Sequence, residues 1–435
     1  MRKMMLWIIA VGVVMLSGST LHAQQDIAGD WQGTLKVGAS ASLRIVLHIT
    51  KSDNGGWSAV FYSIDQAPDG IPVSSVTLQG SDVKFSIDLI HGGYDGKLSA
   101  DGDSIKGTWT QGRSFPLDFQ RATKETMWQR DSSPHTISFI TVEIGVKLEV
   151  LDWGGSGRPL VFLAGLGDTA HRFDKFALKF TPAYHVYAIT RRGFGDSSAP
   201  APANGNYSAD RLGDDVLAVI DSLKLNRPVL VGHSIAGEEL SSIGSRHAEK
   251  VAGLIYLDAG YPYAYYDPAL GDLTIDSNEL RKDLALLSPI AGSEEEKRIV
   301  QELLQTSLPR FEKDLQEELK DLQVQERSPA DSAPPQMLAV IQAIVAGEQK
   351  YTDIRVPALA IYAAPHAGEP VSKDPAARAA AEARDLLTTG AQARAFENGV
   401  HSARVVRLAH ANHYVFLSNE ADVLREMNAF LSTLP

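Results

Sequence analysis

The stretch 231-VGHSIAG-237 decides the fold of this chain. An apolar run at 228–231 leads into it, and a helix-prone segment follows it. Ser234 stands between Gly232 and Ala236, and small side chains at these two positions allow a strand to turn sharply into a helix. The stretch therefore predicts a strand–turn–helix unit within an α/β domain.

Short apolar segments of the same kind recur along the rest of the chain, separated by helix-prone stretches. They lie at 159–163, 185–190, 253–257, 358–362 and 405–408. Nearly continuous apolar strands that alternate with helices are typical of a parallel sheet covered on both faces. A charged, helix-prone segment at about 260–351 interrupts the alternation and predicts a helical cap inserted between two strands. We therefore expect an α/β domain with a helical cap over 136–435.

The first part of the chain has a different pattern. Residues 24–122 hold short β-branched segments separated by turn signals such as 53-DNGG-56, which predicts an antiparallel β barrel or sandwich. A polar linker at 123–135 follows. Residues 1–23 have a positive start, an apolar run and small residues before Ala23, the layout of a secretory signal peptide. We expect a periplasmic or secreted protein with no stable membrane insertion after signal cleavage.

Ser234 is the candidate nucleophile. The predicted turn lifts its hydroxyl above the sheet, and the start of the following helix favours developing negative charge. Two further motifs precede it, 164-AGLGD-168 and 191-RRGFGDS-197. In this order the three motifs resemble those of the capped, esterase-like branch of the α/β-hydrolase superfamily, over residues 136–435. The resemblance implies an α/β-hydrolase fold.

The resemblance also implies a base and an oxyanion hole. A serine hydroxyl needs a base to take its proton, and in this family the base is a histidine between the last strand and the last helix. His413 is our candidate. The alternatives are His410, His401, His366 and His233. The family's oxyanion hole, two backbone N–H groups that face the developing charge, carries over to Leu166 and Ile235.

The acid that orients the histidine is less clearly marked. Its usual place in the family is the loop after the strand at 358–362, which here offers only Glu369 and the more distant Asp374. Some members, such as haloalkane dehalogenases, carry the acid at the end of the preceding strand. This chain has Asp258 there, so we expect Asp258 to be the acid, with Glu369 as the alternative.

The N-terminal segment carries a second resemblance. Its G-x-W-x-G opening at 29–33, the sequence 63-SIDQ-66 and the closing G-x-W at 107–109 resemble the small lipocalin-like β domain found ahead of some bacterial secreted hydrolases. The segment shows no catalytic constellation. We expect an accessory role in packing or binding.

Composition and motifs together limit the function. A net charge of -12 disfavours nucleic acid as a partner, and the absence of cysteine excludes thiolate metal sites and a cysteine nucleophile. No metal-ligand spacing is present, and we expect no cofactor. Ser234 and His413 favour hydrolysis of a small-molecule carboxylic ester, with Tyr261 and Tyr263 lining the substrate pocket. The alternatives are peptide, amide, lactone or thioester cleavage, or a non-catalytic ligand-binding protein.

Overall fold

The computed structural model describes most of the chain after residue 25. The described ranges are 26–37, 42–51, 56–66, 71–123, 125–128, 133–203, 205–287, 294–324, 335–367 and 375–435. The predicted signal peptide at 1–23 and the alternative acids Glu369 and Asp374 lie outside these ranges.

Ten strands form an antiparallel sheet in the N-terminal part. They are β1 Gly29–Lys36, β2 Ser42–Lys51, β3 Trp57–Ser63, β4 Ile71–Pro72, β5 Ser75–Gln79, β6 Asp82–Ile87, β7 Gly92–Leu98, β8 Ser104–Gln111, β9 Arg113–Pro116 and β10 Phe119–Arg121. The order is β4-β3-β2-β1-β10-β8-β7-β6-β5, and β9 pairs with β8. The sheet curls into a half-barrel, because β5 at one edge contacts β3 near the other. The predicted antiparallel all-β architecture is confirmed.

Alternation along the strands explains the core of this half-barrel. In β1, residues 31, 33 and 35 are buried and their neighbours are more exposed, which is the period-2 pattern of a strand with one face inward. Trp31 is fully buried, and its indole N–H donates to the carbonyl of Ile27 at 2.9 Å.

Eight strands form a second sheet. They are β11 Thr136–Glu143, β12 Val146–Gly154, β13 Pro159–Leu163, β14 His185–Ile189, β15 Val229–His233, β16 Gly253–Leu257, β17 Ala358–Ala363 and β18 Ala403–Leu408. Their order is β11-β12-β14-β13-β15-β16-β17-β18, with all pairs parallel except those that involve β11 and β12. In β13, Leu160 and Phe162 feed the apolar core on one face, and Val161 and Leu163 feed the core on the other. The α/β fold class is therefore confirmed.

Helices connect and cover these strands. They are α1 Asp174–Ala177, α2 Ala209–Ser222, α3 Gly237–Arg246, α4 Leu273–Leu286, α5 Glu294–Glu302, α6 Leu308–Val324, α7 Pro335–Val345, α8 Pro375–Gly399, α9 Val415–Ser418 and α10 Glu420–Leu431. A π-helix at Leu303–Ser307 joins α5 to α6, and 3-10 turns lie at Asp88–Ile90, Ala170–Phe173, Ser234–Ala236 and Ala248–Lys250. Helices α4 to α7 fall between β16 and β17, where the cap was expected. Within the described ranges, no helix combines the length and apolarity that crossing a membrane requires.

The strand order fixes where a site can form. Strand β13 lies between β14 and β15, so the chain turns to one side after β13 and to the other side after β14. Loops leaving the carboxyl ends of β13 and β15 therefore diverge and open a crevice, the usual ligand position in sheets of this kind.

Candidate active site

Ser234 occupies the sharp turn that the sequence predicts. Strand β15 ends at His233, and Ser234 begins the 3-10 turn that leads into α3. Its φ is 54°, a left-handed conformation that non-glycine residues rarely adopt and that costs about 1–3 kcal/mol. Close packing enforces the turn, because a Cβ on Gly237 would lie 2.0 Å from the carbonyl oxygen of Ala259.

Asp258 stands directly after β16 and also has a positive φ, 48°. Its carboxylate is fully buried. Oδ2 accepts from His413 Nδ1 at 2.7 Å, and Oδ1 accepts from the Tyr261 hydroxyl and the Ala363 backbone N–H, both at 3.0 Å. Burial raises the pKa of Asp258, but hydrogen bonds from His366 and His413 outweigh it and hold this pKa at about 2. Asp258 is therefore an anion beside His413.

His366 is a second histidine on the same carboxylate. Its Nε2 lies 2.8 Å from Asp258 Oδ2, and its Nδ1 lies 3.1 Å from Asp385 Oδ1. The His366 backbone N–H also donates to Asp385 at 2.6 Å. Burial lowers the pKa of His366, but its hydrogen bonds to Asp258 and Asp385 and their charges raise it to about 9. His366 is thus a cation that holds Asp258 in place.

His413 faces both the acid and the turn. Its side chain is 41% exposed, so its ring is open to solvent on one side. The ring lies 4.7 Å, between centroids, from that of His233, whose Nε2 is 3.1 Å from the His413 carbonyl oxygen. Among the described residues, no direct hydrogen bond joins His413 to the Ser234 hydroxyl, a contact that often tightens only when substrate binds.

The other candidate histidines lie elsewhere or are unsuited to the role. His410 and His401 are exposed, and His410 Nε2 lies 3.7 Å from Glu382 Oε1. His233 is buried inside the turn, and burial, together with the neighbouring His413, lowers its pKa to about 3. His233 is therefore neutral and cannot readily take a proton.

The loop after β13 packs directly on the turn at Ser234. A Cβ on Gly165 would lie 2.8 Å from His233 Nδ1 and 3.3 Å from the Ser234 Cβ. Leu166, the next residue, belongs to the same apolar cluster as Ile235. The two residues predicted to form the oxyanion hole are therefore brought close together.

Arg191 holds this loop in place, a role that the sequence did not reveal. Its guanidinium donates to the carbonyl oxygens of Ala164 at 2.9 Å and Gly165 at 3.3 Å. It also pairs with Glu239 on α3, with Nε 2.6 Å from Oε1. Because the loop's carbonyl oxygens are bound on the Arg191 side, its N–H groups can face the crevice. The only sequence signal was the arginine pair that opens 191-RRGFGDS-197.

The two tyrosines predicted to bind substrate lie at the site in different ways. The Tyr261 hydroxyl donates to Asp258 and lies 3.3 Å from His366 Nε2. The Tyr263 hydroxyl lies near the side chain of Ser234, and burial raises its pKa well above the ordinary value. Tyr261 therefore contacts the acid, and Tyr263 lies near the candidate nucleophile.

Two groups of described side chains could hold a metal ion. They are Asp258, His366 and His413, and a separate buried group of His135, His171 and Asp174; within each group the ligand atoms lie within 4.8 Å of one another. In the first group, hydrogen bonds already engage both carboxylate oxygens of Asp258. This arrangement fits an acid that orients histidines better than a metal ligand.

Curated proteins similar to this chain match it over part of its length. Epoxide hydrolase 4 of Mus musculus is 28% identical over 177 residues, which is 40% of this chain and 49% of the relative. A non-heme haloperoxidase of Rhodococcus erythropolis is 34% identical over 126 residues, or 28% of this chain and 44% of the relative. The chain thus spans about half the length of the curated relatives it matches, or less.

One solved structure similar to this chain is a hydrolase from Pseudomonas aeruginosa PA01. It is 19% identical, covers 68% of this chain and 98% of its own, and superposes with a TM-score of 0.44. A family model described as the alpha/beta hydrolase family matches residues 160–426, which is more than half of the chain. The chain therefore belongs to the alpha/beta hydrolase family.

Proposed function

We propose that this protein is a serine hydrolase that cleaves carboxylic esters of small molecules through an acyl-enzyme. One observation carries the proposal. A buried, ionised Asp258 binds the His413 ring at 2.7 Å, beside a serine held at a positive φ in a strand-to-helix turn. This is the arrangement in which an acid orients a histidine so that the histidine can activate a hydroxyl.

The reaction proceeds in two halves. His413 takes the proton of the Ser234 hydroxyl as its oxygen attacks the ester carbonyl carbon, and the N–H groups of Leu166 and Ile235 stabilise the resulting oxyanion. The C–O bond to the alcohol then breaks, and His413 gives its proton to the departing alkoxide. Water, deprotonated by His413, then attacks the acyl carbon. The bond from this carbon to the Ser234 oxygen breaks, and that oxygen takes the proton back from His413 as the acid product leaves. Asp258 stays ionised throughout and stabilises the charged His413 ring.

The residue at the turn distinguishes this chemistry from that named for several relatives. Epoxide hydrolases and haloalkane dehalogenases of this superfamily use a carboxylate nucleophile at the turn, whereas this chain carries Ser234. We therefore favour ester hydrolysis. Amide, lactone or thioester cleavage uses the same groups and is the second candidate, since fold and triad do not determine the substrate.

The remaining sequence predictions complete the proposal. Residues 1–23 act as a signal peptide that directs the protein to the periplasm or outside the cell. The half-barrel at 29–121 is a lipocalin-like accessory domain. Detection of the protein in a periplasmic fraction, with an N-terminus close to residue 24, tests the export.

Labelling with a fluorophosphonate probe tests the nucleophile. We expect the probe to modify Ser234 in the folded protein, and Ser234→Ala to abolish labelling and to lower p-nitrophenyl ester hydrolysis by about 10⁴-fold or more. Ser222→Ala, at an exposed serine at the end of α2, is the matched control and should behave as the wild type. Equal labelling of the Ser234→Ala variant would refute the proposal.

A pair of variants tests the acid. Asp258→Asn should lower kcat by about 10⁴-fold, because an amide cannot hold the histidine in the required tautomer or stabilise its charge. Glu369→Gln should retain activity. Full activity in Asp258→Asn, or a large loss in Glu369→Gln, would assign the acid to the later loop.

A further inference from the structure

A cavity of about 190 Å³ lies between the N-terminal half-barrel and the loop after β13. On the half-barrel side, its wall includes Val37, Leu43 and Gln66. On the other side it includes Leu166 and Gly167 of that loop, together with Tyr414. Engineered apolar cavities of about 150 Å³ bind benzene, so this space accepts a group of at least that size.

The cavity adjoins the proposed reaction centre on two sides. Leu166 carries one of the proposed oxyanion N–H groups, and Tyr414 follows His413 directly. Burial lowers the pKa of Arg172 at the cavity wall, but the charge and hydrogen bond of Asp168 raise it, and Asp65 of the half-barrel adds a smaller contribution in the same direction. A substituent on a carbonyl bound at Ser234 can therefore extend toward the half-barrel.

The charges of the wall are compensated within the protein. Arg172 donates from Nε to Asp168 at 3.0 Å, and its guanidinium lies 5.2 Å from the centroid of the Tyr414 ring. An arginine that is paired and stacked in this way does not need an anionic ligand. Leucine, valine and tyrosine side chains supply the apolar part of the remaining wall, and Ser42 and Gln66 add neutral polar groups. This lining favours an uncharged group with a substantial apolar part.

We propose that the half-barrel forms one wall of the substrate pocket and binds the uncharged apolar substituent of the ester. This inference rests on the proposed function and assigns the N-terminal domain a direct part in substrate selection. Leu43 of β2 is the central residue of the proposal, because it is a partly buried side chain at the cavity.

Filling the cavity at Leu43 tests the proposal in the full-length protein. We expect Leu43→Trp to lower kcat/KM at least tenfold for p-nitrophenyl esters of six or more acyl carbons, or for acetates of equally long alcohols. Hydrolysis of ethyl acetate, in which both substituents are short, should change less than twofold. Leu78→Trp on β5 is the matched control, since Leu78 is likewise partly buried against the half-barrel core but lies outside this cavity.

A variant with a smaller side chain at position 43 provides a second test if the tryptophan variant does not fold. Leu43→Ala enlarges the cavity, so it should increase the preferred chain length in either the acyl-chain series or the alcohol-chain series of esters. Unchanged preference in both series for Leu43→Ala, or identical profiles for Leu43→Trp and Leu78→Trp, would overturn the proposal. Labelling of Ser234 by a small fluorophosphonate, measured on each variant, separates this failure from failure of the proposed function, because only the latter abolishes labelling of the wild type.

Discussion

Replacing His366 by glutamine should remove a stabilising charge whose effect depends on pH. The groups that face His366 are Asp258 after β16, Asp385 on α8, His413 after β18 and the Tyr261 hydroxyl. Glutamine can still donate a hydrogen bond to Asp258, but it carries no charge. The variant therefore tests the charge of His366 rather than its shape.

The magnitude follows from the raised pKa of His366. A change from 6.5 to about 9 corresponds to roughly 3.4 kcal/mol if no solvent screening acts. The side chain is 26% exposed, and screening at this exposure reduces the expected contribution to about 1–2 kcal/mol. Because the pKa is raised on folding, this stabilisation is complete below pH 6.5, declines as the pH rises toward 9 and is absent above it.

Urea unfolding of wild type and His366→Gln at several pH values measures this contribution. We expect the variant to be less stable by about 1–2 kcal/mol near pH 6 and nearly equal to the wild type near pH 10. His401→Gln, at an exposed histidine, is the control and should show no such trend. A stability difference that is constant from pH 6 to pH 10, or that grows with pH, would refute a cationic His366.

Three further substitutions test the frame around Ser234. Gly237→Ala should destabilise the protein by about 1–3 kcal/mol in urea unfolding, because its Cβ would meet the carbonyl of Ala259. Arg191→Lys should lower kcat by about 10²-fold with little change in KM, because lysine cannot bind the loop after β13 and Glu239 together. Unchanged steady-state kinetics would contradict this prediction. Tyr263→Phe removes the hydroxyl that lies near Ser234 and should change the rate of fluorophosphonate labelling, and an identical rate would show that this hydroxyl is not functional.

The fold could be predicted from the sequence because apolar segments and turn residues are local patterns. Each apolar segment predicts one strand, and the small residues around Ser234 predict the strand-to-helix turn. Rules for connecting strands then leave only a few possible strand orders. It also located Asp258 and His413, which the structure joins at 2.7 Å. Their catalytic roles remain predictions. The site's supporting contacts were not predictable in the same way, because they join segments distant along the chain.

Asp385 shows why such contacts cannot be predicted from the sequence. It lies in α8, a helix of 25 residues whose first half is largely exposed, and nothing in its neighbourhood distinguishes it from the other charged residues there. Only the fold places its carboxylate on both the ring and the backbone N–H of His366. The curled half-barrel sheet and its cavity against the loop after β13 also depend on packing between segments that the sequence does not relate.

The position of Asp258 explains the unusual loop after β17. A fully buried carboxylate needs several donors or a cation to remain ionised. Asp258 obtains one backbone N–H from Ala363 at the end of β17 and one cation from His366 in the loop beyond it. In family members that carry the acid in this loop, the loop supplies the negative charge that faces the histidine. Here the loop supplies a positive charge on His366, which keeps the carboxylate of Asp258, the proposed acid, ionised at the adjacent strand end.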